Sequence, residues 1–266
     1  MNITSVKSVV VGSLIVLSVI AIYFLGMYLI GMLIPNSLVA TIVDILFKIA
    51  IGIISILLIK FAFKMKGFTY IKKGIIYGIF VYGAMFLAYT ISNLILGYSG
   101  MDRGVLEALP YIVLFFFICV GIGFVEEMLF RGLVFNFVKK VFCGTKYENI
   151  LAIMISSVLF GSCHLINLIA TPNMVVSTFT QVIYATIIGI YFAVIYVKTN
   201  NIVAPILLHI LFDFVYYIWW AFSNEAILNS TIDINLLQGV ISIALYLPMI
   251  VWSILVYKGT FDFDKK

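Results

Sequence analysis

Charge is scarce in this chain: Asp, Glu, Lys and Arg make up 10% of its 266 residues, while 64% are hydrophobic. A soluble domain carries about 25% charged and 45–50% apolar residues, so a water-soluble globule is excluded. Cysteine is rare as well. Cys119, Cys143 and Cys163 show no paired spacing and two of them fall inside apolar runs, so they support neither a disulfide framework nor a zinc knuckle. Strand-like alternation with polar lumen positions is missing, which argues against an outer-membrane barrel. No basic patch interleaves with exposed aromatics, so the net charge of +5 is not read as a nucleic-acid footprint.

What the chain has in abundance is long apolar runs, and its mean hydropathy is +1.22. Runs of ~20 residues or more are long enough for helices to cross a hydrocarbon core of ~30 Å. The sequence predicts eight, at about 9–34, 38–63, 74–96, 109–138, 149–170, 175–197, 202–222 and 236–257. The first resembles a signal peptide in its charged start at Lys7, but its apolar run is too long and no small-residue cleavage site follows, so a retained helix is expected. Lysines concentrate in alternate loops: Lys7, then Lys64, Lys66, Lys72 and Lys73, then Lys139, Lys140 and Lys146, then Lys198, then Lys258, Lys265 and Lys266. The other loops carry only Arg103, and residues 224 to 235 form an acidic loop. By the positive-inside rule both termini are cytoplasmic and the helix number is even. The expected fold is an all-α, polytopic membrane helix bundle of about eight transmembrane helices, one integral membrane domain over 1–266, multi-pass in the cell membrane.

Within this apolar background, ionisable residues stand out. Glu126, Glu127 and Arg131 lie in the middle of the fourth run, where each charge near the bilayer centre costs roughly 2.5–3.5 kcal/mol on insertion scales. Glu127 and Arg131 are four apart with the acid first, the favourable order for a pair on one helix face. Glu126 is about 100° round the helix and is left for chemistry; a desolvated carboxyl is suited to taking a proton from water. In the second run Asp44 and Lys48 are also one turn apart, and a structural ion pair is the expected reading.

Both histidines of the chain fall in predicted spans. His164 closes the run Phe160-Gly-Ser-Cys-His164, and His209 opens His209-Ile-Leu-Phe-Asp213. His209 and Asp213 share one helix face, and Phe160 can pack under the His164 ring. Isolated burial of each group is unfavourable, so the fourth, fifth and seventh spans are expected to bring Glu126, His164, His209 and Asp213 together around a hydrated cavity. Ser162 and Cys163 project away from His164 on its helix, which leaves activated water as the better nucleophile. A proton-coupled transporter would use similar residues, but the inverted repeats expected of one are not found.

These three motifs, Glu126-Glu127-x-x-x-Arg131, Phe160-x-x-x-His164 and His209-x-x-x-Asp213, resemble the CAAX protease and bacteriocin-processing (CPBP, Abi) family of intramembrane endopeptidases. Phe130-Arg131-Gly132 and the stretch Thr199-Asn200-Asn201-Ile202-Val203-Ala204-Pro205 fit as well, giving a motif core of about 109–222. The resemblance implies hydrolysis of a peptide bond in a membrane-associated peptide or protein. Glu126 would be general base, His164 its partner on the water, and His209 with Asp213 the oxyanion side; Glu127, Arg131 and Phe160 would be supports. Asp213 stands where eukaryotic CAAX endopeptidases look to have Asn, and an ionised Asp donates no hydrogen bond. A metal-independent glutamic mechanism is favoured; zinc held by Glu126, His164, His209 and Asp213 is the alternative. The family also implies a second possibility, a non-catalytic bacteriocin immunity or scaffold protein. The expected partners are the lipid bilayer and a peptide substrate, with no nucleic acid; the sequence fixes no oligomeric state.

Overall fold

The computed structural model describes residues 5–64, 72–96, 102–223 and 233–259. Lys66, Lys265, Lys266, Gly100 and most of the acidic loop lie outside the described residues, as do the side chains of Lys72 and Lys73. The described chain is helical throughout. In order it forms α1 (Val6–Leu33), α2 (Ser37–Leu57), α3 (Lys72–Ile76), α4 (Ala84–Leu96), α5 (Val105–Glu127), α6 (Phe135–Val141), α7 (Glu148–Cys163), α8 (Asn167–Ala170), α9 (Val175–Thr199), α10 (Val203–Ile218) and α11 (Leu236–Lys258). Seven helical stretches among the described residues are long and apolar enough to cross a membrane, and an eighth is a bent pair.

Capping residues set the helix ends. Ser5, Asn36 and Asn235 accept from the backbone N–H three residues on, which satisfies orphan donors of α1, α2 and α11, and Gln238 closes the box on Asn235. Asn200 and Gly259 end α9 and α11 in the left-handed region. Pro205 falls in the first turn of α10, where no intrahelical N–H bond is lost. Large apolar side chains on α1, α2, α4, α5 and α11 face outward, as a lipid-solvated surface requires and a water-solvated one would not tolerate.

The third and fourth spans depart from the straight helices expected. The third breaks at Gly83, with Gly74–Tyr82 and Ala84–Leu96 at 62° to one another. The break frees the Tyr82 carbonyl, and two side chains from elsewhere recover it: Tyr191 Oη donates from 2.7 Å and Trp252 Nε1 from 2.8 Å. Unpaired backbone groups are costly inside a bilayer, so these donors make the bend tenable. The fourth span widens into a π-helix over Met128–Val134, between α5 and α6. Asn136 Nδ2 reaches back to the carbonyls of Arg131 at 3.1 Å and Gly132 at 2.7 Å and is also bonded to Tyr196. Periodicity of 3.6 carries no mark of an inserted residue, so a regular helix was the expectation there.

The core holding these spans together is aromatic. Phe86, Phe130, Phe135, Phe160 and Phe192 are buried in one continuous apolar cluster that joins α4, α7, α9, α10 and the π segment. Helices α7 and α9 approach closely because both interface positions are small: a Cβ at Gly161 would clash with Thr186 and fall 2.6 Å from the Val182 carbonyl.

Candidate active site

The acidic pair is delivered by the close approach of α5 to α10. A Cβ at Gly123 would lie 2.7 Å from Ile210 Cγ1 and 3.1 Å from its backbone nitrogen, so only glycine lets the two helices meet there. One turn further along α5 come Glu126 and Glu127; beside Ile210 on α10 is His209. The glycine contact therefore puts two carboxylates against one imidazole.

Glu127 and Arg131 pair at 3.1 Å through Oε1 and Nη1, both side chains fully buried. The guanidinium lies over the Phe160 ring at 4.5 Å and also faces Phe192 at 5.6 Å, so its charge is stabilised by two aromatic faces as well as by the carboxylate. Glu127 has a second partner that helical spacing does not reveal. Its Oε1 is 2.8 Å from His209 Nδ1. A carboxylate only accepts, so Nδ1 carries the proton and donates, and Nε2 is turned to the opposite side. There it faces Glu126 Oε2 at 3.7 Å and Asp213 Oδ2 at 3.6 Å. These separations exceed a direct hydrogen bond and suit a bridging water. Glu126, Glu127, His209 and Asp213 thus form one cluster drawn from two helices.

His164 enters differently. Its Nδ1 lies 3.2 Å from the carbonyl of Phe160 one turn back, and no hydrogen bond or ion pair joins it to Glu126 among the described residues. Phe160 is the link: its ring is edge-on to His164 at 5.4 Å and edge-on to His209 at 6.0 Å. The helix is also tightened here into a 3-10 turn over His164–Ile166.

Two features were not anticipated from the motifs. Tyr23 on α1 donates to Glu126 Oε1 at 3.3 Å, so a helix matched only by hydropathy reaches the cluster. The Glu127–His209 contact is the other; Glu127 was read as a partner of Arg131 alone. No signal for either stands in the sequence, where Tyr23 is one of 16 tyrosines. Asp44 and Lys48 do pair on α2.

Zinc requires nitrogen or oxygen ligands at about 2.0–2.2 Å around one point. Among the described residues no group of three or more His, Cys, Asp or Glu side chains is arranged to hold a metal ion, and each imidazole is held at Nδ1, with Nε2 as its other ring nitrogen.

No curated protein and no solved structure matches the chain. Residues 107–215 match a family model described as type II CAAX prenyl endopeptidase Rce1-like. That segment carries Glu126, Glu127, Arg131, Phe160, His164, His209 and Asp213. Over that segment the chain is similar to Rce1-like CAAX prenyl endopeptidases.

Proposed function

We propose that this protein is an intramembrane endopeptidase that hydrolyses a peptide bond near the end of a membrane-delivered peptide or of a prenylated CAAX tail, using water in place of a side-chain nucleophile. The observation that carries the reading is the meeting of Glu126, His209 and Asp213, with His209 Nε2 at 3.7 and 3.6 Å from the two carboxylates.

Glu126 takes a proton from a water held between its carboxylate and the imidazoles, and the resulting hydroxide adds to the scissile carbonyl carbon. The negative charge that develops on the carbonyl oxygen is met by the Nε2–H of doubly protonated His209. Preorganised donors aimed at such an oxygen are worth about 3–4 kcal/mol each. Asp213, one turn along α10, holds that N–H in place, while Glu127 fixes the ring from its other edge. His164, anchored through Nδ1, offers Nε2 to the water. As the carbon–nitrogen bond breaks, the proton collected by Glu126 passes to the leaving amine, which returns the carboxylate to its starting state. No step needs a metal ion. In this reading both termini face the cytoplasm, where lysine-rich loops gather and where a CAAX tail would be presented.

The test is cleavage of a fluorogenic prenylated CAAX peptide by the full chain in proteoliposomes. Glu126→Gln should abolish cleavage without loss of folded protein. Cleavage that continues undiminished in this variant overturns the reading, and immunity to a bacteriocin that survives Glu126→Ala would mark a non-catalytic role instead.

A further inference from the structure

The buried residues of α1 are Gly12, Val16, Val19 and Tyr23, spaced four, three and four apart. That spacing draws a single stripe down the helix, and the stripe is apolar except for one hydroxyl. The helix is docked on both sides of that hydroxyl by glycine seats: Gly12 lies under the Phe137 ring and Gly26 under the Phe47 ring, leaving no room for a Cβ at either. Tyr23, only 1% exposed, is thereby held at the depth of Glu126.

From this geometry we infer that Tyr23 is a positioning residue for the general base, its phenol holding the Glu126 carboxylate in the orientation that accepts a proton from water. The inference rests on the endopeptidase reading and extends it to a helix that lies outside the family-matched segment. A buried tyrosine needs an acceptor for its O–H, and Glu126 Oε1 at 3.3 Å is the hydrogen-bond acceptor that Tyr23 has. Asp44 on α2 and Cys163 on α7 are the other ionisable groups within electrostatic reach of the phenol. The contact occupies Oε1, while Oε2 points to His209. One oxygen is tethered and the other is free for chemistry. A distance of 3.3 Å is longer than the 2.7–2.8 Å usual for O–H···O, which leaves slack for tightening once substrate and water are in place.

The experiment compares four proteins in the same proteoliposome assay with the fluorogenic prenylated peptide: the parent, Tyr23→Phe, Phe24→Leu and Glu126→Gln. The Phe24 ring lies tilted against Tyr23 with centroids 4.8 Å apart and controls for packing of α1. Tyr23→Phe should lower kcat about ten-fold, part of the 10²–10⁴-fold that a positioned base contributes, with KM within about two-fold and an unchanged melting temperature. Phe24→Leu should leave kcat near the parent value. Full kcat in Tyr23→Phe, or an equal fall in Phe24→Leu, overturns the inference. Should Tyr23→Phe fail to fold, a ring-fluorinated tyrosine at this position keeps the volume and changes the strength of the donor; kcat must then change, and an unaltered kcat overturns the inference. Glu126→Gln separates the two readings: activity retained there defeats Glu126 as the general base, whereas its loss beside a fully active Tyr23→Phe defeats this inference alone.

Discussion

Glu127 and His209 are bound to each other across 82 residues of sequence by a 2.8 Å contact between Oε1 and Nδ1. The same oxygen is 3.1 Å from Arg131 Nη1. One atom therefore neutralises the buried guanidinium and orients the imidazole through Nδ1–H, so the ion pair and the candidate site are linked through it.

Glu127→Gln should be costly on both counts. Leaving a fully buried Arg without its counter-charge costs about 3–5 kcal/mol. The thermal midpoint in detergent should fall and cleavage should be lost. Adding Arg131→Met, which removes the orphaned charge, should recover much of the midpoint but little of the activity, because His209 Nδ1 then faces a neutral amide in place of the carboxylate that stabilises its protonated ring. Full recovery of cleavage in the double variant would show that the protonated ring is held by something else.

Arg131→Lys should behave as a damaging change although charge is kept. The planar guanidinium is placed over Phe160 at 4.5 Å and faces Phe192, and an ammonium makes a poorer fit in both contacts. A loss of about 1–2 kcal/mol is expected from the stacking alone. Equal midpoints for the two proteins would contradict this.

Asp213→Asn should retain cleavage within about ten-fold, since an amide N–H can itself donate to the developing oxyanion. Asp213→Ala, which leaves His209 Nε2 without its 3.6 Å neighbour on α10, should lose about 10²–10³ in kcat. If both variants were equally impaired, the carboxylate would have a role that an amide cannot fill.

Gly161→Ala should be disruptive for a methyl group. Its Cβ would fall 2.6 Å from the backbone carbonyl of Val182, which has no flexible end to move aside. Overpacking of this kind costs about 1–3 kcal/mol, and separation of α7 from α9 would carry Phe160 and His164 with it. Both the midpoint and kcat should fall; a fall in neither would mean the helices part without consequence.

Prolonged chelation, followed by mass spectrometry of bound metal, should leave cleavage intact and metal content far below one ion per chain. Loss of activity that zinc restores would contradict the metal-independent mechanism.

The spans and the order of the three motifs were legible because hydropathy and i,i+4 spacing are local properties. Glu127 with Arg131, Asp44 with Lys48, and Phe160 with His164 all follow from one turn of helix, and each is found in contact. What escaped was long-range or aperiodic. The Tyr23–Glu126 contact joins residues 103 apart, and any of several tyrosines could have filled that place. Glu127 reaching His209 depends on Gly123 admitting α10 to the surface of α5, a fact of helix crossing and not of composition. The π segment over Met128–Val134 and the bend at Gly83 alter the hydrogen-bond register while leaving the hydropathy profile unchanged.

The Tyr82 carbonyl, gripped at once from α9 and from α11, has a mechanical meaning. An elbow fastened from two independent helices is held as a strut is held, at both sides of its bend. The helix α11, remote from every motif in the sequence, is thereby the brace that holds the elbow.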